Sequence, residues 1–219
     1  MSTNPKIGTA ASAEELVEAR NTLDVDLSDG LVLNRVTDLS GRLTVDGTST
    51  GLSSQADQSL MMAIRATGDA VLIGGNTLRS EGYRPDSPGL ANTNLVVVTR
   101  GSDIGSAGNH KNVTVLSGGA EPTDFAGQWI QRNGWSPAEI KNQLQDMGFN
   151  RTICEAGPTL TSKFFEADSF EELYLTISPQ YGSNTGTESP SSAEYNYRYE
   201  LAYAITGPES YIFTKWRKS

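Results

Sequence analysis

Cysteine and histidine are nearly absent. The 219-residue chain holds one of each, Cys154 and His110. A disulfide framework and a cysteine-rich or histidine-rich metal site are excluded by counting, and most catalytic triads would have to use His110 as their only base. Basic charge is scarce as well: 17 Lys and Arg against 26 Asp and Glu leave a net −9. That balance argues against nucleic acid, which needs a basic surface to displace counterions, and against a polybasic membrane patch. No run approaches the roughly 20 apolar residues of a membrane span, and residues 1–11 lack an apolar secretory core. What is present, 37% hydrophobic and 20% charged residues, suits an ordinary domain with its own core. The expected setting is the reducing cytoplasm.

Along the chain, residues 1–11 read as a loose tail. Ser12 and Glu15 open a short helix carrying Leu16, Ala19 and Leu23. A strand is expected over 31–37, then turns at Ser40-Gly41 and Asp46-Gly47 around a short segment 42–45. Ser53 or Ser54 caps a helix with Leu60, Ala63, Ile64 and Thr67 at helical spacing, ended by Gly68. Apolar runs at 70–73, 95–99, 112–116 and 152–155 read as buried parallel strands. A short helix follows from Leu78, a second opens at Ser136-Pro137-Ala138-Glu139, and a third at Gly157-Pro158. Residues 173–178 give a fifth strand of this kind. After a Gly/Ser/Thr-rich loop over 180–192, Tyr195, Tyr197, Tyr199, Leu201, Tyr203 and Ile205 alternate with other residues. Gly207-Pro208 turns the chain into a last strand from Tyr211 towards Trp216. The pattern predicts an α/β fold: a mixed, mostly parallel sheet flanked by helices, with a C-terminal antiparallel hairpin. Residues 1–30 read as tail and short helix, and 31–219 as a single domain.

In such a sheet, ligands bind beyond the carboxyl ends of the strands. Two strand ends carry helix-opening glycines: Ile73-Gly74-Gly75-Asn76-Thr77, and Cys154-Glu155-Ala156-Gly157-Pro158-Thr159-Leu160. A glycine turn feeding a helix N-terminus offers free N–H groups and the positive end of the dipole to a phosphate. Either turn alone is common without a ligand; two in one chain point to a dinucleotide. Thr99 and Arg100, at a third strand end, form a hydroxyl and cation pair suited to an adenosine 2′-phosphate, or are an ordinary solvated strand end. The G-x-G-x-x-G fingerprint is absent. Tyr211 and Lys215 share the Tyr-x-x-x-Lys spacing of short-chain dehydrogenases, but four residues of strand separate them by about 13 Å. Cys154 reads as a core residue and His110 as a solvated one.

Taken together, these segments resemble the reductase domain of riboflavin biosynthesis in its free-standing form. The likeness is carried by Ser53-Ser54-Gln55-Ala56-Asp57, by 60–75 with Thr77, by Glu81-Gly82-Tyr83, and by 96–100, 155–160 and 173–179. It implies a dihydrofolate-reductase-like fold. It also implies NADPH-dependent reduction of the ribosyl group of 5-amino-6-(5-phosphoribosylamino)uracil to a ribityl chain, and a homodimer, which the aromatic hairpin also suggests as an exposed edge. By the same likeness Gly74, Gly75, Thr77 and residues Glu155, Ala156, Gly157, Pro158, Thr159 and Leu160 line the cofactor; Leu78 and the Thr99 and Arg100 pair complete the expected cofactor-binding set. Asp38 and Ser40 are the catalytic candidates; Arg42, Ser53, Arg79 and Arg84 are the substrate-binding ones. The family's Ser-Leu-Asp-Gly motif reads Asp38-Leu39-Ser40-Gly41 here, and residues 180–192 hold no Arg. The alternatives are a reductase of the same fold acting on another heterocycle or carbonyl, and a nucleotide-binding homologue without turnover. The family's companion zinc deaminase needs more Cys and His than the chain has.

Overall fold

The computed structural model describes residues 5–24, 27–182 and 197–219. In these, one sheet runs through the molecule. Its strands are β1 (Lys6–Thr9), β2 (Gly30–Thr37), β3 (Ala70–Gly74), β4 (Asn94–Thr99), β5 (Val113–Ser117), β6 (Gln128–Gln131), β7 (Arg151–Cys154), β8 (Phe170–Ile177), β9 (Tyr199–Thr206) and β10 (Ile212–Lys218). They lie in the order β1-β9-β10-β8-β2-β7-β3-β4-β5-β6. β10 runs antiparallel to both its neighbours, β9 and β8, and every other ladder is parallel. The mixed, mostly parallel sheet with its terminal hairpin is therefore present.

The central strands are apolar on both faces because helices cover both. On one face, Val32, Val71, Ile73, Val97 and Val115 pack with Leu16 and with Leu60 and Ile64, from helices α1 (Ala13–Leu23) and α2 (Gln55–Arg65). On the other, Leu31, Leu33, Leu72 and Val96 meet Ile140, Leu144 and Phe164, from α4 (Pro137–Asp146) and α5 (Pro158–Glu166). A short helix, α3 (Gly75–Ser80), follows β3. The helix starts follow their caps: Ser12, Ser54 and Ser136 each accept from the N–H three residues on, and Ser136 forms a complete capping box with Glu139. No helix among the described residues is long and apolar enough to cross a membrane.

Three elements differ from the sequence expectations. Part of the segment expected to be a loose tail is β1, which pairs with β9, and Ala10 N–H continues the contact to the Thr206 carbonyl at 2.9 Å. This strand also covers the outer side of the hairpin, so the aromatic hairpin does not form a sheet edge. β6 was not expected; it is an edge strand held by parallel pairing to β5. The helix expected from Leu78 opens three residues earlier, at Gly75, directly from the strand. Tyr195 and residues 183–192 of the expected Gly/Ser/Thr-rich loop lie outside the described residues.

Candidate active site

A cleft of about 1300 Å³ opens beyond the carboxyl ends of β2, β3, β4 and β7. β3 and β7 are neighbours in the sheet, so the two glycine turns lie side by side. A hydrogen bond joins them: Gly157 N–H donates to Thr77 Oγ1 at 2.9 Å. The glycines are there for space. A Cβ on Gly75 would sit 2.7 Å from Thr99 Oγ1, and one on Gly157 would sit 3.0 Å from Thr77 Oγ1. Gly74 differs, because its Cβ would meet nothing within 4 Å and would project into open space. At α5, the first-turn N–H groups have no helical acceptor, and Thr159 and Leu160 line the cleft. Thr77→Val should leave the Gly157 N–H without its acceptor and cost about 1–3 kcal/mol. Thermal unfolding measures this, and Thr77→Ser should recover most of it.

The other wall carries acids. Glu155 accepts from four donors: Arg65 Nε (3.0 Å) and Nη2 (2.7 Å), Tyr83 OH (2.7 Å) and Asn34 Nδ2 (3.0 Å). Arg65 and Glu155 are both almost wholly buried, and Arg65 Nη1 also donates to the Pro88 carbonyl. Burial alone would lower the Arg65 pKa, but the Glu155 charge and hydrogen bonds outweigh it and raise the value. Burial and Glu155 also push the Tyr83 hydroxyl well above its usual range. Asp57 lines the same cleft and is buried. Ser53 Oγ donates to its Oδ2 at 2.6 Å. Burial raises the Asp57 pKa; hydrogen bonds from Ser53 and Thr176 pull it down, the Glu155 charge adds to the rise, and the net shift is upward.

A carboxyl whose folded pKa is raised holds a proton that the unfolded chain releases, so its contribution to stability is lost as pH climbs past the ordinary carboxylate range. Asp57→Asn should therefore flatten the fall in stability on the alkaline side of that range, as measured by unfolding at a series of pH values.

Of the expected cofactor residues, Gly74, Gly75, Thr77, Thr99, Arg100 and the run Glu155, Ala156, Gly157, Pro158, Thr159 and Leu160 all line the cleft, as do Ser53 and Arg79. Leu78 is in the core instead. The Glu155 carboxylate faces its four donors. Arg79 reaches the Asp103 carbonyl and Asn76 Oδ1. Asp38 and Ser40 are not brought into the cleft lining. Asp38 Oδ1 accepts from Ser40 N, Ser40 Oγ and Arg42 N, and Oδ2 accepts from Gly182 N. Burial raises the Asp38 pKa, but these bonds outweigh it and lower the value, as for an acid that fixes a turn. Arg42 and Arg84 also lie outside the lining, and Arg84 is exposed beside Asp86 at 3.3 Å.

Asn34, Asp57, Arg65 and Tyr83 were not singled out as site residues from sequence. The signal for Asp57 was its phase: it shares the buried side of α2 with Leu60 and Ile64, where an apolar residue would be expected. Cys154 is buried, and that burial pushes its thiol up to about 12. Lys215 is fully buried in ion pairs with Asp24 and Glu172, and Tyr211 donates to the Leu52 carbonyl. The short-chain dehydrogenase pair does not exist.

The parallel sheet, the switch from parallel to antiparallel at β8 and β10, and the cleft over the strand ends define a dihydrofolate-reductase-like fold. The chain belongs to the RibD C-terminal domain family, whose pattern it matches over residues 31–187. Among solved structures, it is similar to a pyrimidine reductase-like protein from Corynebacterium diphtheriae, at 19% identity over 87% of this chain and 92% of that one, with a TM-score of 0.71. A second is the diaminohydroxyphosphoribosylaminopyrimidine deaminase/5-amino-6-(5-phosphoribosylamino)uracil reductase of Thermotoga maritima, at 15% identity and TM-score 0.72, covering 94% of this chain but 60% of that one. A third is a dihydrofolate reductase from Enterococcus faecalis complexed with NADP(H), at 12% identity over 87% of this chain and 96% of that one, with a TM-score of 0.56. No curated protein matches the sequence significantly.

Proposed function

We propose that the protein is an NADPH-dependent oxidoreductase that reduces the ribosyl group of 5-amino-6-(5-phosphoribosylamino)uracil to a ribityl chain, acting on its open imine form. The observation that carries this reading is the direct joining of the two glycine turns through Thr77 and Gly157. Together they form one anion-binding floor, with the open face of Gly74 in front of it. The residues fit the cofactor: the turn at Gly74 and Gly75 and the first turn of α5 would hold the diphosphate. Arg79 and Arg100 stand on the lining as cations for the adenosine phosphates. When bound, NADPH supplies the hydride. The protein orients the reacting partners, while the Arg65–Glu155 pair fixes the β7 end against α2, and the wall made by Asn34, Asp57 and Tyr83 receives the pyrimidine end. Family membership and the activity named for the Thermotoga maritima protein support the substrate.

The test is loss of NADPH absorbance with the phosphoribosylaminouracil. Turnover at a rate saturable in both partners is expected. NADPH binding with turnover only on other carbonyl or imine compounds would replace the substrate, and binding without turnover on any of them would remove the reductase assignment.

A further inference from the structure

The donors of the acidic wall are spent on one another. Arg65 gives Nε and Nη2 to Glu155 and Nη1 to the Pro88 carbonyl. Tyr83 OH accepts from Arg65 Nη2 and donates to Glu155 Oε2. Ser53 Oγ donates to Asp57. Asn34, on β2, gives Nδ2 to Glu155 Oε1 at 3.0 Å. That last bond fixes the amide. Turned the other way, the Asn34 carbonyl oxygen would face a carboxylate oxygen that has no hydrogen to offer and already accepts from Arg65 Nε. With Nδ2 committed, Oδ1 is the half of the amide left over. It accepts from none of the described residues, and it is not among the side-chain oxygens sealed in the interior without a partner. Asn34 lines the cleft, so its amide oxygen is open to a ligand.

We propose that Asn34 Oδ1 selects the substrate through an N–H donor beside the reducible carbon, an inference that rests on the reductase reading above. Position supports this. Leu33 pairs with Cys154 in the ladder of β2 and β7, so Asn34 stands level with Glu155, two residues before Gly157 and the floor for the coenzyme. A ligand group that meets Oδ1 therefore lies at the junction of pyrimidine and coenzyme. In the aminouracil, the exocyclic 5-amino group has the required chemistry. It sits on the ring carbon next to the one that carries the ribosylamine, and it keeps both hydrogens when the ribosyl group opens to the imine. A carbonyl oxygen at that ring position would set two acceptors against each other, and a bare C–H would leave Oδ1 unpaired. The substrate class that follows is a heterocycle with an amine adjacent to its reducible side chain.

The test compares 5,6-diaminouracil with 6-aminouracil, which lacks the 5-amino group, as ligands of the NADP⁺-loaded wild type and of the NADP⁺-loaded Asn34→Leu variant. One neutral hydrogen bond to an otherwise unpaired acceptor is worth about 10-fold in Kd. The wild type should prefer the diamine by about that factor. The variant has no acceptor and should bind the two within about 2-fold of each other. Its Glu155 keeps Arg65 and Tyr83 as donors. A second reading needs no variant: the carbon-13 shift of the Asn34 side-chain carbonyl in the wild type should move downfield with the diamine and markedly less with 6-aminouracil. Equal affinities in the wild type, a preference that survives in the variant, or a carbonyl that answers both ligands alike overturns the proposal while leaving the reductase reading in place. A wild-type protein that does not bind NADPH overturns both.

Discussion

Glu172→Gln should destabilise the fold by about 3–5 kcal/mol, the cost of removing one partner from a buried ionic cluster, and lower Tm by roughly 10 °C. The Glu172 side chain is fully buried. Its Oε1 lies 2.8 Å from Lys215 Nζ and its Oε2 lies 2.9 Å from Arg151 Nη2. Ser28 adds its N–H and hydroxyl to Oε1. Lys215, also fully buried, is shared with Asp24 at 2.5 Å, and Asp24 in turn accepts from Tyr174 OH and pairs with Arg20. The cluster ties the end of α1 and the segment before β2 to β7, β8 and β10. A glutamine keeps the shape but leaves Arg151 and Lys215 buried with one anion fewer, and its amide hydrogens face two cations. None of these residues lines the cleft, so the folded variant should bind NADPH with wild-type affinity. Denaturant unfolding gives the stability and ligand titration gives the affinity. A change below about 1 kcal/mol would place the group among weak surface pairs.

Gly74→Ile should have the opposite signature, with stability kept and cofactor lost. Gly74 has φ −88° and ψ 155°, ordinary extended backbone open to any residue, and nothing stands within 4 Å of its would-be Cβ. A branched side chain there fills the space in front of the joined turns. Displacing two charge-assisted hydrogen bonds to the diphosphate, each worth about 1.5–3 kcal/mol, weakens NADPH binding by about 100-fold or more. Gly75→Ala is the contrasting variant. Its methyl meets Thr99 Oγ1 at 2.7 Å, so it should lower Tm as well. If Gly74→Ile binds NADPH as the wild type does, the diphosphate lies elsewhere.

Most of the sheet was legible because its central strands are continuous apolar runs, and helix starts were legible because Ser12, Ser54 and Ser136 carry local cap chemistry. β1 and β6 were not. Each has four residues, is half-exposed or more, and carries polar ends. Such strands exist because a neighbour offers a free edge, and that information is not local. The glycine turns announced themselves, but their joining by Thr77 depends on β3 and β7 being adjacent, which only the topology fixes. The buried charges were hidden in a different way. Glu172 is in phase with Phe170 and Tyr174 on the buried side of β8, and Asp57 is in phase with Leu60 and Ile64. Each breaks the expected pattern by placing an acid where an apolar residue belongs, and which partners accept such an acid depends on chain segments far away in sequence. Asp38 shows the reverse case: an acid in a promising motif is fully used in holding its own turn.

The most direct test is backbone amide chemical-shift mapping during an NADPH titration of the wild-type protein. The largest changes should fall on Gly75, Asn76, Thr77, Gly157, Thr159 and Leu160, saturating with one cofactor per chain. Shifts confined to other parts of the sheet, with these amides unmoved at saturation, would contradict the account.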